Sequence, residues 1–133
     1  MEIKDSGPAA GIDLTSFGSH GVRHVSIHRN AGPGSPSGPA SPVVAVALMH
    51  LAPGGRLGRH QATIPQALTV VAGDGWVSGA DGRAVPITAG RTACWAAGEE
   101  HETWTDTGLT AVVVEAAEPH PSGLLGRAPV TGA

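Results

Sequence analysis

The sequence predicts a single all-β domain, and three observations support that prediction. Glycine (20) and proline (11) together number 31 of 133 residues, which leaves little room for long helices. Hydrophobic residues make up 41% of the chain and charged residues only 14%, a balance typical of a folded chain rather than a disordered one. Short apolar runs alternate with glycine-, proline- and aspartate-rich turns at a spacing of roughly eight to twelve residues, as in β-sandwiches and small barrels.

The strand predictions follow from apolar runs bounded by turn residues. Residues 21–28 form the first, in which Val25 and Ile27 are framed by polar side chains. Residues 43–51 are a nearly continuous apolar run of strand length. Asp81-Gly82 lies between two short apolar runs and predicts a hairpin loop over 79–82. The remaining predicted strands are 66–72, 75–78, 84–87, 91–95, 101–105 and 109–116.

The domain boundaries follow from the same pattern. Residues 1–20 are predicted to be an irregular N-terminal segment, because they carry few packing side chains. Residues 30–39 contain almost no helix or strand former and are predicted to be a loop within the domain. The barrel itself is assigned to 21–118, and 119–133 to a C-terminal tail.

Charge and cysteine content exclude several function classes. A net charge of −3 argues against nucleic-acid binding, which requires a basic surface. No apolar run is long enough to cross a bilayer, and the first residues do not resemble a signal peptide. The single cysteine, Cys94, excludes an internal disulfide and a cysteine-built zinc site. We therefore expect a cytoplasmic protein without nucleic-acid or membrane partners. Because a small, charge-poor sheet needs covering, we also expect a homodimer.

Two of the seven histidines stand out by their surroundings. His60 follows a Pro-Gly-Gly turn, and His101 follows Gly98 at the start of a predicted strand. Inward side chains of neighbouring strands in a small barrel can converge on one ion, and imidazole is a common transition-metal ligand. A second histidine set is interpreted instead as a solvated or partly buried polar face: His20, His24 and His28.

The spacing of glycines and histidines resembles the two motifs of the cupin superfamily. The first motif, G-x5-H-x-H-x3-4-E-x6-G, is matched at Gly54, His60, Gln66 and Gly73. The second motif, G-x5-P-x-G-x2-H-x3-N, is matched at Gly90, Gly98 and His101. The match spans about residues 43–115, which we call the motif region. The resemblance implies a double-stranded β-helix barrel, often dimeric, with a pocket at its centre.

The chain departs from these motifs at the metal ligands. Ala62 stands where the second histidine of the first motif is expected, and Gln66 replaces the glutamate. The resemblance therefore implies a reduced metal set of His60, Gln66 and His101. This set is neutral, so a divalent ion would keep its full charge and several open coordination positions.

Two interpretations of the set His60, Gln66 and His101 remain open. A third interpretation places the function on the surface of the protein. In the first, His60, Gln66 and His101 hold Fe, Mn, Ni, Cu or Zn, and the protein is an oxygenase, isomerase or lyase acting on a small polar or anionic molecule. In the second, the same residues bind a small molecule without metal, as a binding module or sensor. In the third, a degenerate cupin acts through its surface. His50, one strand upstream, is a further candidate ligand.

Strand alternation predicts which residues line the pocket beside these three. Thr103 shares a face with His101, while Leu68 and Val70 share a face with Gln66. Residues predicted to line the pocket are Ala62, Leu68, Val70, Trp95 and Thr103.

Overall fold

The computed structural model describes residues 1–30 and 44–117, and most of this part of the chain is strand. Two short 3-10 helices, Pro8–Ala10 and Ser16–Gly18, lie near the N-terminus. The strands are β1 Ile12–Asp13, β2 His20–Arg29, β3 Val44–Gln61, β4 Gln66–Ser78, β5 Val85–Thr88, β6 Thr92–Trp95, β7 Glu100–Trp104 and β8 Leu109–Ala116. The predicted all-β class is confirmed. No helix in the described ranges is long and apolar enough to cross a membrane.

The strands form one antiparallel sheet that closes on itself through two long strands. β3 pairs with β2 and β8 along its first half and with β7 from Arg56 onward. β4 pairs with β8 and β6 along its first half, and with β5 and β7 from Asp74 onward. Because β7 and β8 each contact both β3 and β4, the sheet closes into a small barrel.

Two predicted turns are wrong, because β3 and β4 continue through them. Residues 52–55 were expected to end one strand, yet β3 runs without a break to Gln61. Residues 73–75 were expected to separate two strands, yet they lie inside β4. Gly73 has φ 78°, and a Cβ there would overlap the Gly108 carbonyl oxygen, so only glycine allows β4 to bend at this point. At these positions the glycines do not end β3 and β4. They bend each strand toward the next strand with which it pairs.

The other predicted elements agree with the structure to within one or two residues. The loop at 79–82 is a tight turn in which the Gly82 amide donates to the Gly79 carbonyl oxygen at 3.0 Å. Residues 1–20, predicted to be irregular, contain the two 3-10 helices, β1 and the first residue of β2. Residues 31–39 of the predicted loop and the whole of the predicted tail lie outside the described residues. The homodimer stays a prediction.

The apolar core is drawn from six strands of the sheet. Its largest side chain is Trp95, whose indole nitrogen donates to the Ser78 carbonyl oxygen at 3.1 Å. The indole therefore keeps a hydrogen bond although the residue is almost fully buried. The buried core cluster comprises Val22, Met49, Leu51, Leu68, Val70, Val77, Ile87, Trp95, Leu109, Ala111 and Val113.

Candidate functional site

A cavity of about 220 Å³ lies within the barrel, where the end of β3, the start of β4, the start of β7 and the end of β8 meet. Its polar wall is formed by side chains from five strands: His24, His60, Gln66, His101, Thr103 and Glu115. Its apolar wall includes Leu14, Met49, Leu57, Leu68 and Val113. An apolar cavity with a few convergent polar groups is typical of a small-molecule site.

His60 and His101 face each other across neighbouring strands. They are direct partners in the pairing of β3 with β7, so their side chains lie on the same face of the sheet. Their ring centroids are 4.3 Å apart, and the rings are tilted by 53°. The structure thus places the two histidines singled out by the sequence side by side in one cavity.

Backbone carbonyl groups determine which nitrogen of each imidazole carries the hydrogen. His60 Nδ1 lies 2.7 Å from the Gly58 carbonyl oxygen, and His101 Nδ1 lies 3.4 Å from the Glu99 carbonyl oxygen. A carbonyl oxygen only accepts, so Nδ1 must donate in both rings. In the neutral rings Nε2 is therefore unprotonated and free to accept a hydrogen bond, a proton or a metal ion. Metal-binding histidines are typically held in this way.

Burial keeps His101 neutral. Burial, together with the smaller effect of the neighbouring His60, lowers the pKa of His101 to about 4. Hydrogen bonding to Glu99 acts in the opposite direction but does not offset the burial. At pH 7 the His101 ring is therefore a neutral acceptor.

Gln66 is oriented by a residue that the sequence analysis missed, Glu115. The two are direct partners in the pairing of β4 with β8, and Gln66 Nε2 donates to Glu115 Oε1 at 2.9 Å. Glu115 could have been found by alternation, since it lies two residues beyond the buried Val113 on the same strand.

A second missed feature is the segment 14–19, which we call the N-terminal strap. The Phe17 ring stacks on the His60 ring with a centroid distance of 4.5 Å and an interplanar angle of 5°. Phe17 has φ 59°, which is rare for a residue other than glycine, and it remains 65% exposed. Ser19 Oγ accepts a hydrogen bond from the Gly58 amide at 2.9 Å. The sequence contains a single phenylalanine, Phe17. Its rarity was the feature of the sequence that could have indicated a role for this segment.

Two of the five residues predicted to line the pocket do so. Leu68 and Thr103 line the cavity, as alternation from Gln66 and His101 predicts. Thr103 is 1% exposed, and its hydroxyl has no hydrogen-bond partner among the described residues.

The other three residues are buried but do not belong to the cavity wall. Val70 lies farther along β4, between Leu68, which lines the cavity, and Ala72 and Gly73, which line a separate groove. Trp95 lies behind His101, with ring centroids 4.6 Å apart. Ala62 follows the end of β3, where its amide donates to the Glu99 carbonyl oxygen at 3.0 Å. The alternation of side chains along a strand predicts on which face of the sheet a residue lies, but the cavity occupies only one end of that face.

Of two further histidines, His24 and His50, only His24 lines the cavity. His24, interpreted as part of a solvated or partly buried face, lines the cavity. His50, considered as a further ligand, lines a separate groove of about 530 Å³. Its Nε2 lies 2.9 Å from the Ser6 carbonyl oxygen and its Nδ1 lies 3.3 Å from Thr110 Oγ1. Because Met49 lines the cavity, its neighbour His50 faces away from it.

The described residues offer a limited set of metal ligands. Within residues 1–30 and 44–117, no group of three or more histidine, cysteine, aspartate or glutamate side chains is arranged to hold a metal ion. An ion in the cavity would therefore rely on the two imidazoles together with an oxygen such as that of the Gln66 amide.

Comparison with known proteins identifies the architecture. No protein-family model matches the chain, and no curated protein matches it. Among solved structures, an RmlC-like cupin from Shewanella frigidimarina is similar with a TM-score of 0.64 and 17% identity, over 88% of this chain and 92% of that one. The polyketide cyclase RemF from Streptomyces resistomycificus is similar with a TM-score of 0.64 and 18% identity, over 88% and 81% of the two chains.

A third likeness leads to the same conclusion. A conserved protein with a double-stranded β-helix domain from Klebsiella pneumoniae is similar with a TM-score of 0.63 and 16% identity, over 88% of this chain and 90% of that one. At these identities the likeness concerns the fold, and the closed antiparallel barrel agrees with it. The predicted architecture is confirmed: the chain has a double-stranded β-helix fold, as the cupin structures to which it is similar do.

Proposed function

We propose that the chain is a metal-dependent cupin enzyme, in which His60 and His101 bind one divalent transition-metal ion through Nε2. The observation that carries the proposal is the pair of Nδ1 contacts to backbone carbonyl oxygens. These contacts leave both Nε2 atoms unprotonated in rings whose centroids are 4.3 Å apart.

The donor set fits such an ion. Two neutral imidazole nitrogens suit Fe, Mn, Ni, Cu and Zn, and the Gln66 amide supplies a weaker oxygen ligand. Three protein ligands leave coordination positions open for a substrate, as in catalytic rather than structural sites. When bound, the ion would act as a Lewis acid that polarises an oxygen of the substrate.

The remaining residues of the cavity define the substrate class. Glu115 is the one charged side chain of its described lining, so a divalent ion would leave a net charge of about +1 and favour a small anionic molecule. The apolar wall formed by Met49, Leu57 and Leu68 would hold the substrate body and exclude water. His24 also lines the cavity and is not among the ligands of the proposed ion.

A metal-free binding module is the second candidate, and the small number of ligands favours it. Two imidazoles form the cavity pair, and no third titratable ligand is arranged with them in the described part of the chain. In this case His60 and His101 would accept hydrogen bonds from hydroxyl groups of a neutral ligand.

Titration of the metal-free protein with Co²⁺, followed by visible absorption, tests the proposal. The wild type should bind one ion per chain, whereas His60→Ala and His101→Ala should each weaken binding by at least roughly 100-fold, since each removes a direct ligand. His28→Ala removes an exposed histidine of β2 and should bind as the wild type does. Equal Co²⁺ binding by the wild type and His60→Ala would contradict the metal site and leave the binding module as the better account.

A further inference from the structure

We infer that Glu115 is a positioning residue of the ion site, and that it supplies from β8 the negative charge that Gln66 no longer supplies from β4. The inference rests on the proposed metal binding. It concerns a residue outside both sequence motifs.

The location of Glu115 is the first argument. Gln66 occupies the position of the motif glutamate, and Glu115 is its direct partner on the neighbouring strand. Both residues line the cavity that contains His60 and His101. A carboxylate is therefore present beside the motif position, displaced by one strand.

The hydrogen bond between the two side chains is the second argument. Gln66 Nε2 donates to Glu115 Oε1 at 2.9 Å, and an ionised carboxylate can only accept. The bond therefore fixes which end of the amide faces Glu115. The amide oxygen, Oε1, is left for other partners, and of the two amide atoms it is the oxygen that can bind a metal ion. Glu115 thus holds Gln66 in the orientation of a ligand.

The charge of Glu115 is the third argument. The described lining of the cavity contains no lysine, arginine or aspartate. Two nearby arginines are engaged elsewhere, Arg59 with Glu100 and Arg56 with Glu102. Since Glu115 forms no ion pair within residues 1–30 and 44–117, its charge remains available to a cation in the cavity, where screening by water is weaker.

This arrangement changes the expected effect of restoring the motif glutamate. On the sequence alone, Gln66→Glu should tighten ion binding. In the structure the new carboxylate would face Glu115 across the 2.9 Å hydrogen bond that the amide now makes. Two carboxylates at this distance repel each other and destabilise the folded protein, unless one is protonated or an ion lies between them. The transposed double variant Gln66→Glu/Glu115→Gln keeps both the hydrogen bond and the single charge.

The test compares these variants by Co²⁺ titration and by thermal melting of the metal-free protein. Glu115→Gln should weaken Co²⁺ binding roughly 10- to 100-fold and shift the absorption spectrum, with little change in Tm, because a glutamine oxygen can still accept from Gln66. The transposed double variant should bind at least as tightly as the wild type. Gln66→Glu alone should melt lower without Co²⁺ and regain stability with it. Glu100→Gln, which removes an exposed charge paired with Arg59, is the control for net charge and should bind as the wild type does.

The outcomes separate this inference from the proposed function. If the wild type binds Co²⁺ in a His60-dependent manner and Glu115→Gln binds equally well, the role of Glu115 is wrong and the metal site stands. If the transposed double variant binds no better than Glu115→Gln, the role of the charge is wrong. If the wild type shows no His60-dependent binding, the proposed function fails, and the role of Glu115 fails with it.

Discussion

Replacing Gly58 by alanine is expected to displace the N-terminal strap and to lower the free energy of unfolding by roughly 2–4 kcal/mol. A Cβ at this position would overlap the Phe17 carbonyl oxygen and lie 2.7 Å from the carbonyl carbon of that residue. These are backbone atoms, so no side-chain rotation relieves the overlap. Gly58 does not have a positive φ, so its backbone conformation also suits alanine. The loss of stability therefore comes only from the overlap with the strap.

Hydrogen exchange and urea denaturation check this prediction together. Amides of residues 14–19 should lose protection, while those of β4 keep it. Gly7→Ala is the matched control, because its Cβ would meet only the tip of the Asp5 side chain at 3.3 Å. We expect the control to stay within about 0.5 kcal/mol of the wild type. A Gly58→Ala variant with a protected strap and unchanged stability would contradict the described contact.

The second large effect is a loss of stability on acidification, caused by His101. The unfolded chain binds a proton at the ordinary histidine pKa of 6.5, whereas the folded protein binds it only near pH 4. The stability associated with neutral His101 is therefore complete above about pH 6.5 and is lost as the pH falls toward 4. The shift corresponds to roughly 3 kcal/mol of unfolding free energy.

Urea denaturation between pH 7 and pH 4 measures this loss, and His101→Gln provides the comparison. The variant should show a flatter pH dependence, because the carboxylates that also titrate in this range are common to both proteins. NMR titration of the His101 ring resonances gives the pKa directly, without a substitution in the core. A His101 pKa near 6.5 together with parallel stability curves would contradict the burial argument.

The glycine and histidine spacing predicted much of the fold and the centre of the site. One cavity is lined by His60, Gln66 and His101. The motif spacing could predict this, because it determines the position of each residue along its strand in a known fold. Strand ends were harder to predict, since a glycine such as Gly73 can either end a strand or bend it. Which of the two occurs depends on whether a new partner strand is available, and that partner is distant in sequence.

The missed residues share one physical cause. Phe17 contacts His60 although more than forty residues separate them, and Glu115 meets Gln66 only through the register of β8 against β4. Local patterns do not specify such contacts between distant segments. The displaced carboxylate in particular cannot be found by following the motifs, because neither motif includes β8, the strand that carries Glu115.

Elemental analysis of the untagged protein, purified without chelator, tests the metal site most directly. The account predicts close to one divalent transition-metal ion per chain in the wild type and a loss of that ion in a His60→Ala/His101→Ala double variant that still shows the β-sheet circular dichroism spectrum. The wild type should also regain the ion after removal with chelator and dialysis against Co²⁺. A folded wild-type protein with no more metal than the double variant, before or after reloading, would contradict the claim that the two imidazoles form a metal site.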